Sequence, residues 1–300
     1  MGKIDNHWRA NFARELSRRA RASITDTIAH EIGFGRGLQR IGITGPPGAG
    51  KSTLIGALAK QWVNTGRVGV LAIDPTSPVS GGAVLGDRIR MEVAAQSDNL
   101  FIRSFSSGHA YDGLCGNISS LIDAFEASEF DRLIIETVGV GQVNYKIEIL
   151  TDTVVLVLVP ESGDTVQAMK CGILEMADIF VVNKDDLPSA PRLRKELQAV
   201  VGRNTSRNYW TPPVLLASAK NERGLDDISE AIEAHRTKIL ELPEVRASKV
   251  IARRELHLRS IIDRRLSELF ATSSRKSELS LLAADFQDLL ARLSQTGDTS

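Results

Sequence analysis

Residues 45–52 are the stretch whose residue types and spacing point most directly to chemistry. They read Gly-Pro-Pro-Gly-Ala-Gly-Lys-Ser, after the apolar run 41–44 and before the helix-like run 53–60. In this P-loop pattern, glycines let the chain turn inward so that backbone N–H groups and the start of the helix surround a phosphate. Lys51 is predicted to contact the β- and γ-phosphates of a nucleotide, and the Ser52 hydroxyl to bind Mg²⁺. The alternative is a glycine-rich turn that binds nothing. The predicted nucleotide-binding residues here are Gly45, Pro46, Pro47, Gly48, Ala49, Gly50, Lys51, Ser52 and Thr53.

A second pair of motifs is predicted to choose the base. Asn183-Lys-Asp-Asp186 follows the apolar run 179–182, and Ser218-Ala-Lys220 follows the run 214–217. A carboxylate at Asp186 can accept hydrogen bonds from both N1–H and the exocyclic amine of guanine, whereas adenine has no such pair of donors. Lys184 would lie along the base, and backbone N–H groups of 218–220 would approach guanine O6. The sequence therefore predicts a GTP site that includes Asn183, Lys184, Asp186, Ser218, Ala219 and Lys220.

Two carboxylates frame a segment that is rich in Gly, Ser and Pro. Asp74 ends the apolar run 68–73, and Asp87 precedes Arg-Ile-Arg-Met91. Beside a phosphate loop, such a segment suggests a switch that responds to Mg²⁺ and to the γ-phosphate. Asp74 and Asp87 are therefore predicted to be catalytic residues that order the water around the metal. The alternative for Asp87 is an ordinary helix N-cap in a solvated loop.

A third carboxylate ends a buried strand pattern. Ile134-Ile-Glu136-Thr-Val-Gly139 continues with Val-Gly-Gln142, and Gly139 could place its N–H on the γ-phosphate. Glu136 is predicted to be catalytic and to reach the metal through water, because Mg²⁺ retains several of its waters in proteins. The alternative is a structural ion pair between Glu136 and Arg132. The predicted catalytic residues are therefore Lys51, Asp74, Asp87 and Glu136. The predicted metal-binding residues are Ser52, Asp74, Asp87 and Glu136.

The pattern from residue 39 onward supplies the elements that would bring these motifs together. Short β-rich runs alternate with helical runs, which indicates an α/β fold with a mostly parallel sheet and helices on both faces. The predicted strands are 40–44, 68–74, 100–105, 132–137, 153–160, 179–183 and 214–217. The predicted helices are 51–65, 85–95, 114–128, 166–176, 191–201 and 225–240. Because ligands bind at the carboxyl ends of strands in such sheets, the polar residues that end these strands are expected to form one site.

Helical segments are predicted at both ends, so the domain boundaries are placed at 1–38, 39–242 and 243–300. Trp8 begins an apolar stripe that repeats every four residues to Ile32, and we expect it to pack on the main domain rather than on a partner. Residues 244–271 carry a further amphipathic pattern with Ile251, Leu258, Ile261, Ile262, Leu266 and Leu269, and residues 279–293 carry another. These C-terminal helices could fold back onto the domain or form an arm for dimerisation.

Composition limits the range of functions. Lys and Arg together number 37 and balance 37 Asp and Glu, so net charge gives no reason to expect nucleic acid or a membrane surface as a partner. The two cysteines match no metal-binding spacing, and the longest apolar run, 153–160, is too short to cross a bilayer. Since no apolar leader is seen at the start, the protein is expected to be cytoplasmic.

Three of these stretches together resemble the MeaB/ArgK/MMAA family, the GTPases associated with methylmalonyl-CoA mutase and related adenosylcobalamin-dependent mutases. They are Asp74-Pro-Thr-Ser-Pro through Gly86-Asp87-Arg-Ile-Arg-Met91, Glu136-Thr-Val-Gly-Val-Gly-Gln142, and Met176-Ala-Asp-Ile-Phe-Val-Val-Asn-Lys184. The likeness covers about residues 39–240. It implies the SIMIBI class of P-loop GTPases, a homodimer, and a chaperone role in which GTP binding and hydrolysis gate cofactor loading and protect the mutase.

The resemblance also assigns segments. The first switch corresponds to 74–91, the second to 136–142, and a third to 162–170, where Asp164 and Lys170 match polar positions of the family. The C-terminal helices take the family's dimerisation role. The sequence departs from the family where Val143-Asn144 replaces Ser-Glu, and at the start of the third switch. Because these loops are expected to face a partner, the departures bear on which mutase is the client rather than on GTP chemistry.

The expected reaction is Mg²⁺-dependent hydrolysis of GTP to GDP and phosphate. No arginine with an obvious role at the γ-phosphate is assignable, and such an arginine contributes roughly 10³–10⁵ in rate where it operates, so slow hydrolysis is expected without a partner. Two other functions stay open. One is a metal-insertion GTPase of the kind that matures hydrogenase or urease, although the five histidines are scattered. The other is an ATP-using kinase linked to arginine or ornithine transport.

Overall fold

Seven parallel strands form one sheet in the part of the chain that the structure describes. This computed structural model describes residues 7–20, 22, 37–74, 97–106, 117–137, 143–160, 173–201, 209–272 and 287. The strands are β1 Gln39–Thr44, β2 Val68–Asp74, β3 Leu100–Ser106, β4 Arg132–Thr137, β5 Thr153–Leu158, β6 Ile179–Val182 and β7 Val214–Leu216. Their order is β3-β2-β4-β1-β5-β6-β7, and every pairing of neighbours is parallel. The predicted fold class is confirmed.

Helices connect and cover these strands. They are α1 His7–Ala20, α2 Lys51–Trp62, α3 Ile118–Ala127, α4 Val143–Leu150, α5 Ile173–Met176, α6 Ala190–Val201, α7 Leu225–Leu240 and α8 Pro243–Thr272, with a 3₁₀ turn at Ala219–Asn221. The predicted helix 85–95, most of 166–176 and nearly all of 279–293 lie outside the described residues. Among the helices in the described ranges, none combines the length and the apolar character that crossing a bilayer requires.

Side chains alternate between two apolar layers along the strands. Ile134 of β4 belongs to the layer that includes α2 and α7, whereas Leu133 and Ile135 belong to the opposite layer with α1, α3 and α4. A third cluster around Phe180 joins β6 to α6. Because both faces of the sheet are covered, its strands read as nearly continuous apolar runs in the sequence.

The N-terminal helix α1 packs on the sheet through aromatic rings. Phe12 lies edge-on to Phe101 and Phe125, with ring centroids 4.8 and 4.9 Å apart. Leu16 is fully buried, and Arg19 at the end of the helix donates to Asp123 of α3 at 2.9 Å. The prediction that the N-terminal stripe packs on the main domain is confirmed for residues 8–20.

The long helix α8 lies along the domain with one face and presents apolar side chains on the other. Its start at Pro243 suits a helix, because the first helical N–H has no partner within the helix. Leu256 and Ile261 are buried, whereas Ile251 is 64% exposed and Leu258 is 37% exposed. The helix therefore folds back onto the domain, and it also keeps an apolar outer surface.

Candidate functional site

The loop 45–50 joins β1 to α2 at the carboxyl edge of the sheet, and close contacts require two of its glycines. Gly45 has a φ of 144°, and a Cβ there would collide with the carbonyl oxygen of Val157. Gly50 has a φ of 83°, and a Cβ there would collide with the amide of Asn183. A side chain at either position would therefore force the loop away from β5 or from residue 183.

Lys51, the first residue of α2, turns its ammonium group back against the loop. The residue is 6% exposed, and Nζ donates to the carbonyl oxygens of Gly45 and Pro46 at 2.8 and 2.9 Å. Burial lowers the pKa of Lys51, and the nearby Glu136 carboxylate opposes that shift. The ammonium group thus lies where phosphate oxygens could replace the two carbonyls as its acceptors.

Ser52 and Glu136 place a hydroxyl and a carboxylate side by side next to the loop. Ser52 Oγ donates to Glu136 Oε1 at 2.7 Å, and Glu136 is 2% exposed. The pairing of β1 with β4 brings the carboxylate there, because it sets Ile43 opposite Glu136. Oxygen ligands of this kind suit Mg²⁺. The alternative ion pair with Arg132 is not supported, since that guanidinium donates instead to Gln39, Thr65 and Glu233.

The side-chain amide of Asn183 links three motifs. Its Nδ2 donates to the carbonyl oxygen of Ala49 at 2.8 Å, and its Oδ1 accepts from the N–H of Ala219 at 3.0 Å. Asn183 follows β6 and Ala219 follows β7, so one buried residue connects the phosphate loop with both predicted base motifs. A buried polar group left without its partner costs about 1–3 kcal/mol. Sequence reasoning placed Asn183 in the site but did not identify this linking role.

Asp186 and Lys184, which were predicted to recognise guanine, are exposed at the same edge. Ser218 Oγ donates to Asp186 Oδ1 at 3.3 Å, which joins the two base motifs directly. Between the two predicted residues, Asp185 forms an ion pair with Arg223 at 2.7 Å. Sequence reasoning missed this pair, because nothing in the motif spacing marks residue 223.

The other predicted site residues lie partly or wholly outside the described residues. β2 ends at Asp74 and pairs with β4, so its backbone reaches the carboxyl edge, but the side chain of Asp74 is outside the description. Asp87, Gly139, Asp164 and Lys170 lie outside the described ranges. Within those ranges, no group of three or more His, Cys, Asp or Glu side chains is placed to hold a metal ion.

Comparison with known proteins gives matches along most of the chain. Residues 15–275 match the family described as Methylmalonyl Co-A mutase-associated GTPase MeaB. A protein of Pyrococcus abyssi that is named as a candidate GTPase is 40% identical over 259 residues, which cover 85% of this chain and 78% of the relative. GTPase ArgK of Escherichia coli is 37% identical over 205 residues, covering 67% of this chain and 62% of the relative. The Mus musculus protein named Methylmalonic aciduria type A homolog, mitochondrial, is 34% identical over 238 residues, covering 78% of this chain and 57% of the relative.

A solved structure shares the fold. The crystal structure of LAO/AO transport system kinase aligns with a TM-score of 0.63 and 24% sequence identity, covering 99% of this chain and 96% of that one. At this identity the likeness shows a common fold and carries no assignment of substrate.

Proposed function

Since the chain belongs to the family of methylmalonyl-CoA mutase-associated GTPases and is itself a GTPase, we propose that it is a Mg²⁺-dependent chaperone for an adenosylcobalamin-dependent acyl-CoA mutase. In this proposal, binding and hydrolysis of GTP gate cofactor loading or protect the mutase. The family description supports the mutase as client. The nucleotide part depends on one observation, the amide of Asn183 bonded to both Ala49 and Ala219.

That link suits a ligand that has both a phosphate chain and a base. We propose that the loop 45–53 holds the phosphates, with its N–H groups and the start of α2 directed at them. Asn183, Lys184 and Asp186 would hold the guanine, together with residues 218–220. Because Asn183 connects the two halves, the distance between the phosphate and base subsites would be set before GTP arrives.

Hydrolysis transfers the γ-phosphoryl group of GTP to water, with GDP as the leaving group. The bond from the β–γ bridging oxygen to phosphorus breaks, and a bond from the water oxygen to phosphorus forms, giving GDP and phosphate. Lys51 would exchange its contacts with the carbonyls of Gly45 and Pro46 for the β- and γ-phosphate oxygens, where its charge offsets theirs. This exchange needs no movement of α2, because the ammonium group already lies inside the loop.

The residues next to Lys51 fit a divalent metal. Ser52 and Glu136 offer adjacent oxygen atoms in a partly buried setting, and Mg²⁺ bound there would supply neutralisation of phosphate charge. We propose Ser52 as a direct ligand, and Glu136, Asp74 and Asp87 as groups that orient water. Glu136 would then exchange its hydrogen bond from Ser52 for one from water.

The exposed apolar face of α8 is the part of the proposal that concerns assembly. We propose that residues 243–300 form a dimerisation arm, that 39–242 form the GTPase domain and that 1–38 form a helical extension. Ile251 and Leu258 project from the arm, and Leu240 of α7 is 52% exposed. Ile251 and Leu258 are two helical turns apart, so they lie on the same face of α8, and an exposed apolar face suits an interaction site. Asp164 and Lys170 would face the client from the third switch segment. A protein that stays monomeric at every concentration in light scattering would contradict the dimer.

Base preference is the direct test of the nucleotide site. Asp186→Asn exchanges a carboxylate for an amide, so guanine should lose a charge-assisted acceptor and the affinity for GTP should fall about tenfold to a hundredfold. Asp185→Asn is the matched control, because Asp185 pairs with Arg223 and not with the base motif residue Ser218. Nucleotide titration by fluorescence measures both. Equal affinity of the unaltered protein for ATP and GTP would contradict the proposal and favour an ATP-using kinase.

The client is tested separately. The protein, loaded with GTP analogue, with GDP or with neither, is used to capture partners, which are then identified. An acyl-CoA mutase retained in a nucleotide-dependent way supports the proposal. A hydrogenase or urease precursor in its place would support the metal-insertion function.

A further inference from the structure

A second polar region lies at the amino edge of the sheet, away from the proposed GTP site. A cavity of about 350 Å³ opens between the start of β1, the end of α3 and the junction of α7 with α8. This volume lies at the low end of the range for small-molecule pockets, roughly 300–1,000 Å³. β1 separates the two regions, because Arg40 near its first residue lines the cavity while its last residue leads into the phosphate loop.

The described wall of the cavity carries more positive than negative side chains. The carboxylates are Glu126 and Asp152, and the cations are Arg40, Arg236, Arg246, Lys249 and Arg253. Their formal charges leave an excess of three positive charges. Since the whole chain has a formal net charge of zero, this excess is a local feature of the amino edge.

Two of the arginines already have carboxylate partners. Arg40 donates to Glu126 at 2.7 Å, and Arg253 donates to Asp152 at 2.6 Å. Even so, burial and the neighbouring charge of Arg253 lower the pKa of Arg40, although Glu126 opposes the shift. These two ion pairs use both carboxylates of the described wall, so an added anion would meet the remaining positive charge.

The other three cations make longer contacts, contacts to backbone carbonyls, or lie at the rim of the cavity. Lys249 Nζ donates to two backbone carbonyls at the end of α4, at 3.0 and 3.4 Å. Arg236 donates to the carbonyl of Gly37 at 3.3 Å and lies 3.9 Å from the Glu233 carboxylate. Arg246 is exposed at the rim of the cavity. The charge of Lys249 also acts on the Asp152 carboxylate, but the described wall still holds two carboxylates against five cations, so attraction for an added anion remains.

We propose that this cavity binds a small molecule that carries a phosphate group. Four of the five cations are arginines, whose planar N–H donors match the oxygens of a phosphate in pairs. A volume of this size favours a small molecule over a protein segment. None of these residues belongs to the proposed GTP site, so the inference does not rest on the proposed function.

Calorimetric titration with inorganic pyrophosphate tests the cavity in the full chain. The protein carries one molar equivalent of GDP in buffer without Mg²⁺, so that the phosphate loop is blocked, no excess GDP competes for the cavity and pyrophosphate keeps its charge. Arg246→Ala removes a cation at the rim without disturbing either buried ion pair. Arg259→Ala is the matched control on the same helix, since that side chain is 72% exposed and, within the described residues, pairs with Glu255 one turn away.

Saturable binding at one site is expected, weakened about tenfold by Arg246→Ala and less than about twofold by Arg259→Ala, because only the first loses a charged donor to the phosphate. Absence of binding to the protein loaded with one equivalent of GDP would overturn the proposal, and so would equal weakening by both variants. Binding that appears only without GDP would assign pyrophosphate to the phosphate loop and also overturn it. Citrate binding as tightly at equal ionic strength would overturn the assignment to phosphate.

Discussion

The two edges of the sheet hold positive charge in different ways. At the carboxyl edge, Lys51 lies within a short loop and contacts backbone carbonyls only a few residues away. At the amino edge, Arg40 and Arg253 come from elements far apart in the chain and contact carboxylates on two further segments. The comparison teaches that a local loop can prepare an anion site from its own backbone, whereas a basic cavity needs several elements to be packed first.

Helix α4 connects the two edges. It begins directly after the predicted second switch 136–142, and its other end meets α8. Arg253 Nε donates to the carbonyl of Ile149 at 3.0 Å, and Lys249 donates to the carbonyl of Thr151 at 3.0 Å. Cations are favoured at this end of a helix, because its last carbonyls lack helical partners and carry partial negative charge.

We expect the largest effect, on the rate of GTP hydrolysis, from a substitution at the carboxyl edge of the sheet. Lys51→Ala should lower kcat/KM for GTP about 10²–10³-fold, since it removes one charged donor aimed at the position where phosphate charge develops. The free energy of unfolding in urea should change little, because the substitution leaves only neutral loop carbonyls without their donor. Steady-state phosphate release measures the rate. A rate that stays within about threefold of the unaltered protein would show that Lys51 does not contact the phosphates.

We expect the next largest effect, on the free energy of unfolding, from a substitution at the amino edge of the sheet. Arg253→Met keeps the volume but leaves Asp152 without its guanidinium partner, and breaking a buried pair of this kind costs about 3–5 kcal/mol. A cost at the lower end of this range of free energies is expected, because the backbone N–H of Arg40 still donates to Asp152 and the repulsion between Arg40 and Arg253 is relieved. Urea unfolding measures the free energy. Arg259→Met, on the exposed side of α8, should cost less than about 0.5 kcal/mol, and equal losses in both variants would contradict the comparison.

We expect the smallest effect, a pH dependence of stability, where α8 meets α3. Burial lowers the pKa of His257 from 6.5 to about 4, although the Asp123 carboxylate opposes the shift. Between these values the unfolded chain binds a proton that the folded chain does not, so stability is full above pH 6.5 and falls as the pH drops toward 4. His257→Gln should remove about 1–2 kcal/mol of this loss, after allowance for solvent screening.

Urea unfolding at pH 7 and at pH 4.5 measures this loss in the two proteins. The window is separate from that of Glu15, whose pKa is lowered to about 2 by its hydrogen bond from Arg18, against the opposing effect of its burial. If the unaltered protein and His257→Gln lose the same stability on acidification, His257 titrates normally in the folded state.

Much of the sheet could be predicted from the sequence. The bounds of β2, β4 and α7 agree with the predicted ones to the residue. Long apolar patterns between polar residues restrict where such an element can begin and end. β5 was predicted two residues too long and ends at Leu158. In the site, Lys51 and Ser52 adjoin each other in sequence, and their loop was recognisable from its glycines.

Other features could not be predicted, for reasons of packing. α4 was missed because it has only eight residues, and Ile147 is held there by close contact with Gly42 of β1. On α8, Ile251 and Ile261 were predicted to share one apolar stripe, but the first is exposed and the second is buried. Which side of the helix faces inward depends on where the end of α4 meets it, which periodicity does not encode.

By itself, the sequence determined the alternation of strands and helices, the glycine turn before Lys51 and the order of the two base motifs, since each depends on neighbours a few residues apart. Only the tertiary structure decided that Asn183 joins these motifs and that cations from β1, α7 and α8 surround one cavity. The physical reason is distance along the chain. Local spacing constrains backbone conformation directly, whereas contacts between remote side chains arise only after the sheet and its covering helices have packed.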